Sequence, residues 1–259
     1  MALTETLEKI AAAEAAAAQC RWGEVRQHLH SLASAGPPAA VTVDEASARR
    51  IRSLQWRAAA FWWQPLRGAG VVLRRTAADD AEFYQRCFAD HDFARRYNRQ
   101  AAWKGDIRRA LDNAGAQSPV DAHAIHWLLT DAPGQRLGLA SLSSINLANA
   151  RAEVSIGFPA TASPLHGVMA MLLIYDFAFF KARLNKLTSY VYTANPEALH
   201  NSLRVGLRLE GELKDHFYLP PGEFVDVHVL GLTRAQLLQD QRLVQMAKRR
   251  LGLDWAPSA

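Results

Sequence analysis

The chain has 259 residues, 49% of them hydrophobic, and a net charge of +5. That is ample apolar material for one large domain, or a medium one with an appendage, and it excludes a chain too polar to fold. Two cysteines, Cys20 and Cys87, exclude a disulfide framework and a cysteine metal cluster.

The N-terminus carries Glu5, Lys9 and Glu14 early and lacks the layout of a signal peptide, and no apolar run approaches a membrane span. A reducing cytoplasm and no membrane are therefore expected. The arginines fall in scattered pairs, Arg49-Arg50, Arg95-Arg96, Arg108-Arg109 and Arg249-Arg250, which fits solvated helix faces and not a nucleic-acid tract. A modest positive field suits a small polyanionic ligand.

In chain order, two helices are predicted over 3–20 and 22–35, ended by Gly36-Pro37-Pro38, with Ala11, Ala15 and Ala18 facing Trp22, Val25, Leu29 and Leu32. A third helix runs from Val43-Asp44-Glu45 to Trp63, and Arg67-Gly68-Ala69-Gly70 reads as a linker. Trp22, Trp56, Trp62 and Trp63 are more aromatic surface than so short a bundle would bury, so a protein partner or a second copy is expected to dock on this extension.

A strand over 71–75 precedes a helix opened by Thr76, with Asp79 and Asp80 in its first turn. Short helices follow over 92–99 and 103–113, then a polar loop over 113–121. A hairpin over 123–130 and 136–147 turns on Pro133-Gly134 and ends in an unusually polar run, Ser141, Ser143, Ser144 and Asn146.

The segment Ala152-Glu153-Val154-Ser155-Ile156-Gly157-Phe158 alternates like a strand and carries one carboxylate. After a turn, residues 168–180 are too apolar to form a surface helix. A buried strand over 186–193 leads to Asn195 as N-cap, with Pro196 at the first helical position. Two strands about Pro220-Pro221-Gly222 and one long helix over 233–251, ended by Gly252, complete the chain, with the residues beyond read as a frayed tail.

The order Ala-Glu-x-x-Ile-Gly-Phe, turn, apolar helix with Tyr175-Asp176-Phe177-Ala178-Phe179, strand, Asn195-x-x-Ala198, and Val205-Gly206-Leu207-Arg208-Leu209-Glu210-Gly211 resembles the GNAT family of N-acetyltransferases over roughly 70–234. Within it the chain is similar to the branch of ribosomal-protein alanine acetyltransferases and nucleotide-aminosugar acetyltransferases. The resemblance implies an α/β fold: a mixed central sheet, splayed in the middle, flanked by helices. An all-helical extension over 1–69, weakly tetratricopeptide-like, would precede this domain, and a C-terminal helix and tail over 235–259 would follow it.

It also implies acetyl-CoA as co-substrate, no metal, and a primary amine as acceptor, most simply a small molecule such as a nucleotide aminosugar. A protein N-terminus is the alternative, and a domain that has lost the donor and serves as a scaffold is a further one. Glu153 matches the position of the general base, and Ser202 stands seven residues after Asn195, where the family often has a tyrosine acid. The backbone of Ile156, Gly157 and Phe158 would bind the donor, Ser163, Leu165, His166, Gly167 and Val168 its pyrophosphate, and Asn195 its pantetheine arm.

The family's phosphate turn, Q/R-x-x-G-x-G/A, is matched here only at its last small residue: Leu165 stands for a glycine, and Pro164 removes an amide. His91, Tyr97, Asn98 and Trp103 would form the acceptor pocket, with Arg95, Arg96, Arg99 and Lys104 available to a diphosphate. His126 and His200 are the fallback bases.

Overall fold

The computed structural model of the protein describes residues 3–34, 44–97, 105–159, 164–219 and 222–255. They form two compact units, Met1–Gln64 with Ala116–Ala122, and Pro65–Gly115 with His123–Ala259. Among the described residues no helix is long and apolar enough to cross a membrane.

The first unit contains α1 (Leu3–Ala18), α2 (Trp22–Ser34) and α3 (Glu45–Arg57), the last opened by Asp44, which accepts from the Ser47 amide at 2.6 Å. Its core is Ile10, Ala13, Ala16 and Ala17 against Trp22, Val25, Leu29, Leu54 and Ala58. The face expected of the first helix is out of phase: Ala11, Ala15 and Ala18 are exposed. A run of alanines has no large side chains to fix which stripe is apolar, and Ile10 sets it instead, with Ala13 and Ala17 at helical spacing.

All four indoles of this unit pack on aromatic rings, and Trp56 and Trp63 stay half-buried. Trp22 stacks on Trp63 at 5.6 Å, and Trp62 meets Trp56 edge-on at 6.0 Å. Trp22 and Trp62 are buried, and their indole N–H groups donate to the carbonyls of Ala116 and Trp56.

The second unit opens with β1 (Leu66–Gly68) and β2 (Val71–Arg75), paired antiparallel. The stretch read as a linker is a two-residue hairpin turn, with Ala69 and Gly70 both left-handed at φ 48° and 78°. A 3-10 turn leads into α4 (Ala81–Ala89), then α5 (His91–Arg96) and α6 (Ile107–Ala116). The region read as a polar loop is the end of α6 and a short helix, α7 (Pro119–Ala122), which belongs to the first unit. There Arg57 pairs with Asp121 at 2.8 Å, and the Ser118 hydroxyl donates to the Arg57 carbonyl.

The remaining elements are β3 (Ile125–Asp131), β4 (Arg136–Asn146), β5 (Arg151–Gly157), α8 (Pro164–Tyr175), β6 (Lys186–Tyr192), α9 (Pro196–Arg204), β7 (Arg208–Leu219), β8 (Glu223–Thr233), α10 (Arg234–Gln239) and α11 (Gln241–Leu251). One eight-stranded sheet runs β1-β2-β3-β4-β5-β6-β8-β7. Every pair is antiparallel except β5–β6. One face packs on α8 and the turn that continues it, where Trp127 meets Phe177 edge-on at 5.3 Å. On the other, Leu128 and Leu139 join a cluster with Phe83, Tyr84, Cys87, Phe93, Tyr97 and Leu111, which covers that side with α4, α5 and α6.

Asp80, 0% exposed, ties the start of α4 to the sheet: it accepts from Arg74 at 2.6 and 2.8 Å, from Arg136 at 3.3 Å and from the Ala77 amide at 3.0 Å. Burial alone would raise its carboxyl, but the two guanidinium groups and the amide outweigh that and hold it below the ordinary carboxylate range.

Two expectations near the C-terminus are corrected. The single terminal helix breaks at Asp240, whose carboxylate turns back to cap α11 through the Leu243 amide at 3.1 Å. Trp255, read as part of a frayed tail, is 2% exposed, stacks on Phe180 and donates to Asp176 at 3.1 Å. It thereby packs on the π-helical turn Asp176–Lys181 that continues α8.

Candidate active site

The strands β5 and β6 pair in parallel only over Arg151↔Lys186, Ala152↔Leu187 and Glu153↔Thr188. Beyond Glu153 they part. On its other side β5 stays paired with β4 as far as Leu139↔Gly157, so the sheet forks, and the β6-facing backbone of residues 154–157 lies outside any ladder. Because β5 and β6 run the same way, the helices that follow them, α8 and α9, both begin at the open end of the fork. Two helix N-termini, the positive ends of their dipoles, therefore flank its mouth.

Glu153 sits at the vertex, half-buried, opposite Ser143 on β4. A bulge between Ser143 and Asn146, with Ser144 left-handed at φ 51°, bends β4 beside it. Since opposed residues share a face, Glu153, Ser155 and Gly157 point to the same side as Ser143, Ser141 and Leu139. That is the side covered by α4 and α5.

The structure brings Tyr97 to Gly157. The Tyr97 ring, 7% exposed and stacked on Phe93 at 5.2 Å, lies where a Cβ on Gly157 would stand 2.3 Å from its Cδ2. Gly157→Ala is thus expected to push the ring out of its stack and cost ~1–3 kcal/mol; a denaturant titration that finds no loss would show that the ring yields freely. Phe158 packs near α8, with Gly167 approaching its ring.

His91 lies exposed at the start of α5. Asn98, Trp103, Arg99 and Lys104, and Ser163 in the phosphate turn, lie outside the described residues. Arg96 forms an exposed ion pair at 3.8 Å with Glu197 in the first turn of α9, which links α5 to α9.

In the first turn of α8, Leu165 is 53% exposed, while His166 Nδ1 is buried with no hydrogen-bond partner among the described residues. An orphaned ring nitrogen at a helix N-terminus fits an anion that the backbone amides there would also bind. On α9, Asn195 caps the helix, accepting from the Ala198 amide at 3.0 Å. Ser202 lies two turns on, on the half-buried stripe with Ala198 and Leu199, whereas His200 faces solvent. Deep in the same unit the Tyr175 hydroxyl donates to the Val205 carbonyl at 2.9 Å, and burial pushes its ionisation up.

The buried Ser141 of β4 and the Asp80 cluster were not assigned from sequence. Only the polar run at 141–146 pointed toward the former, and nothing local distinguishes Asp80 from Asp79.

None of the curated proteins matches this chain. Among solved structures, spermidine N-acetyltransferase from Vibrio cholerae in complex with CoA and spermine is similar at 21% identity and a TM-score of 0.55, covering 66% of this chain and 99% of that one. A dodecameric form of the Vibrio cholerae enzyme in an intermediate state gives 21% identity and a TM-score of 0.54, over 67% and 98%. Residues 71–208, more than half of the chain, match the acetyltransferase (GNAT) domain. The forked sheet and that match lead to one conclusion: the chain belongs to the GNAT family of acetyl-CoA-dependent N-acetyltransferases.

Proposed function

We propose that the protein acetylates the primary amine of a small molecule at the β5–β6 fork, with Glu153 as general base. The observation that carries this reading is the position of Glu153 at the last paired register before the strands part. There a donor thioester lying along the open edge of residues 154–157 would meet an amine approaching from the α5 side. Ile156, Gly157 and Phe158 would offer their backbone to the donor. The first turn of α8, with Leu165, His166, Gly167 and Val168, would receive its pyrophosphate, as Ser163 is also proposed to do, and Asn195 would receive the pantetheine arm.

Ser202 is a weak acid, yet a thiol with an unperturbed pKa of about 8.5 needs little help to leave near neutral pH. Tyr97 and His91, with Asn98 and Trp103, are proposed to border the acceptor.

A nucleotide aminosugar would draw its diphosphate to cations on the α5 side, and there Arg96 already has Glu197 as its partner. A polyamine is favoured by the solved neighbours, which are named spermidine N-acetyltransferases.

Calorimetric titration with acetyl-CoA, followed by thiol release with a UDP-linked aminosugar, spermidine and an alanyl peptide, tests the proposal. Micromolar donor binding and turnover with one of the first two are expected. Turnover of the peptide alone would move the acceptor to a protein N-terminus, and no donor binding at millimolar concentration would leave only a scaffold.

A further inference from the structure

Beyond Glu153 the far lip of the fork is β6, and its face on the acceptor side is aromatic. Glu153 stands opposite Thr188 in the ladder, so Thr188, Tyr190 and Tyr192 point to the side on which Glu153 lies. With about 4.8 Å between strands and about 3.3 Å per residue along them, Tyr190 springs from the sheet roughly 8 Å from Glu153. The two side chains border one opening.

A bulge in β7 builds that lip into a wall. Between the pairs Leu213↔Val227 and Phe217↔Val225, β8 has the single residue Asp226, whereas β7 has Lys214, Asp215 and His216. Asp226 holds the surplus: its carboxylate accepts from the Asp215 amide at 2.9 Å and from Lys214 at 2.8 Å, and Asp215 is left-handed at φ 49°. The rings of β7 thereby cross β8 and reach β6. His216 stacks on Tyr190 at 5.5 Å, and Phe217 meets Tyr190 and Tyr192 edge-on at 5.9 and 6.0 Å. Asp215 and His216 stay exposed, so the detour gains little burial for the left-handed residue it costs.

The charge of this hairpin runs against that of the chain. β7 and β8 carry five carboxylates against Arg208 and Lys214, in a protein of net charge +5. Lys214 is taken up by Glu212 and Asp226, whereas Asp215 has no ion pair among the described residues. A diphosphate would be repelled from such a wall. An aromatic ring beside a carboxylate suits a cation.

We propose that Tyr190 and Asp215 hold the second, non-reacting ammonium of a polyamine acceptor while its primary amine lies at Glu153. The inference rests on the acetyltransferase reading of the fork. An extended alkyl spacer carries the two nitrogens far enough apart to meet both groups, and the β7 bulge then has a purpose that packing does not supply. Since the held nitrogen takes no part in the chemistry, Tyr190 and Asp215 act on acceptor affinity and not on the acetyl transfer.

The test compares spermidine with butylamine, which lacks a second charge, by thiol release from the full chain at saturating acetyl-CoA. The wild type is expected to take spermidine with a KM about tenfold below that for butylamine. Tyr190→Leu should raise the spermidine KM about tenfold at unchanged kcat and leave the butylamine KM where it was, while Tyr190→Phe, which keeps the ring, stays at the wild-type value. Asp215→Asn, at an exposed position, should raise the spermidine KM severalfold, and that rise should shrink in high salt. If Tyr190→Leu fails to fold, Asp215→Asn decides alone. An unchanged spermidine KM in either folded variant, or an equal rise for both amines, overturns the proposal while the acetyltransferase reading stands. A wild type that turns over the aminosugar or the peptide but not spermidine does the same. A wild type inert toward every amine overturns both.

Discussion

Glu153→Gln is expected to lower kcat by about a hundredfold or more while leaving the affinity for acetyl-CoA unchanged. Glutamine keeps the size of the side chain and its place at the last paired register with Thr188, so the fork stays intact and only the ability to take a proton is lost. An acceptor amine held as ammonium near neutral pH cannot attack until that proton leaves. The loss should therefore shrink as pH rises toward the amine's own pKa, where free amine is present without help. Thiol release measured from pH 7 to pH 10 with saturating donor checks both parts. Equal turnover by the variant and the wild type at pH 7 would reassign Glu153 to the structure of the fork.

Asp80→Ala should destabilise the second unit by ~3 kcal/mol. Removing one partner of a buried ion pair typically costs about 3–5 kcal/mol, and the lower end applies here because both arginines can swing to water: the side chains of Arg74 and Arg136 are 35% and 38% exposed. For a unit of this size that corresponds to a fall in melting temperature of about 6–12 °C. The sign with pH follows from the depressed carboxyl. Its stabilising contribution is fully present above the unfolded value, about 3.9, and is lost as pH falls through the lower folded value. Melting curves at pH 7 and in acid below that range should show the wild type and Asp80→Asn converging as pH falls. A constant gap at both pH values would mean that the pair contributes shape and not charge.

What could be read from sequence was local chemistry. Asn195 followed by Pro196 announces a helix start whatever surrounds it, and Asn195 caps α9. The alternation around Glu153 and the apolar stretch after it announce a strand and a buried helix, and the order of such pieces carries the family. The parts that were missed depend on partners far away in the chain. Gly68-Ala69-Gly70 is as suitable for a hairpin as for a linker, and only the pairing Leu66↔Leu73 decides. Trp255 looks like part of a tail until Asp176 and Phe180 receive it. Ser141 shows its burial only once β3 and β5 stand on either side of it. At the site, strand order aligned Glu153 with the fork, but the phosphate turn departs too far from the family pattern for its residues to be assigned by motif alone.

The helix α7 has a consequence for how the protein is made. Residues 116–122 belong to the N-terminal helical unit, pinned there by Arg57–Asp121 and by Trp22 donating to Ala116. On the ribosome, therefore, α1, α2 and α3 emerge first but cannot close their unit until residues 65–115, which belong to the other unit, have also been synthesised. Until then the indole N–H of Trp22 lacks the carbonyl it will bond, and nascent chains halted between residues 64 and 116 would be the ones that require protection by chaperones. A gene cut at residue 64 severs a unit instead of separating two, so grafting this bundle onto another enzyme would require residues 116–122 to be carried with it.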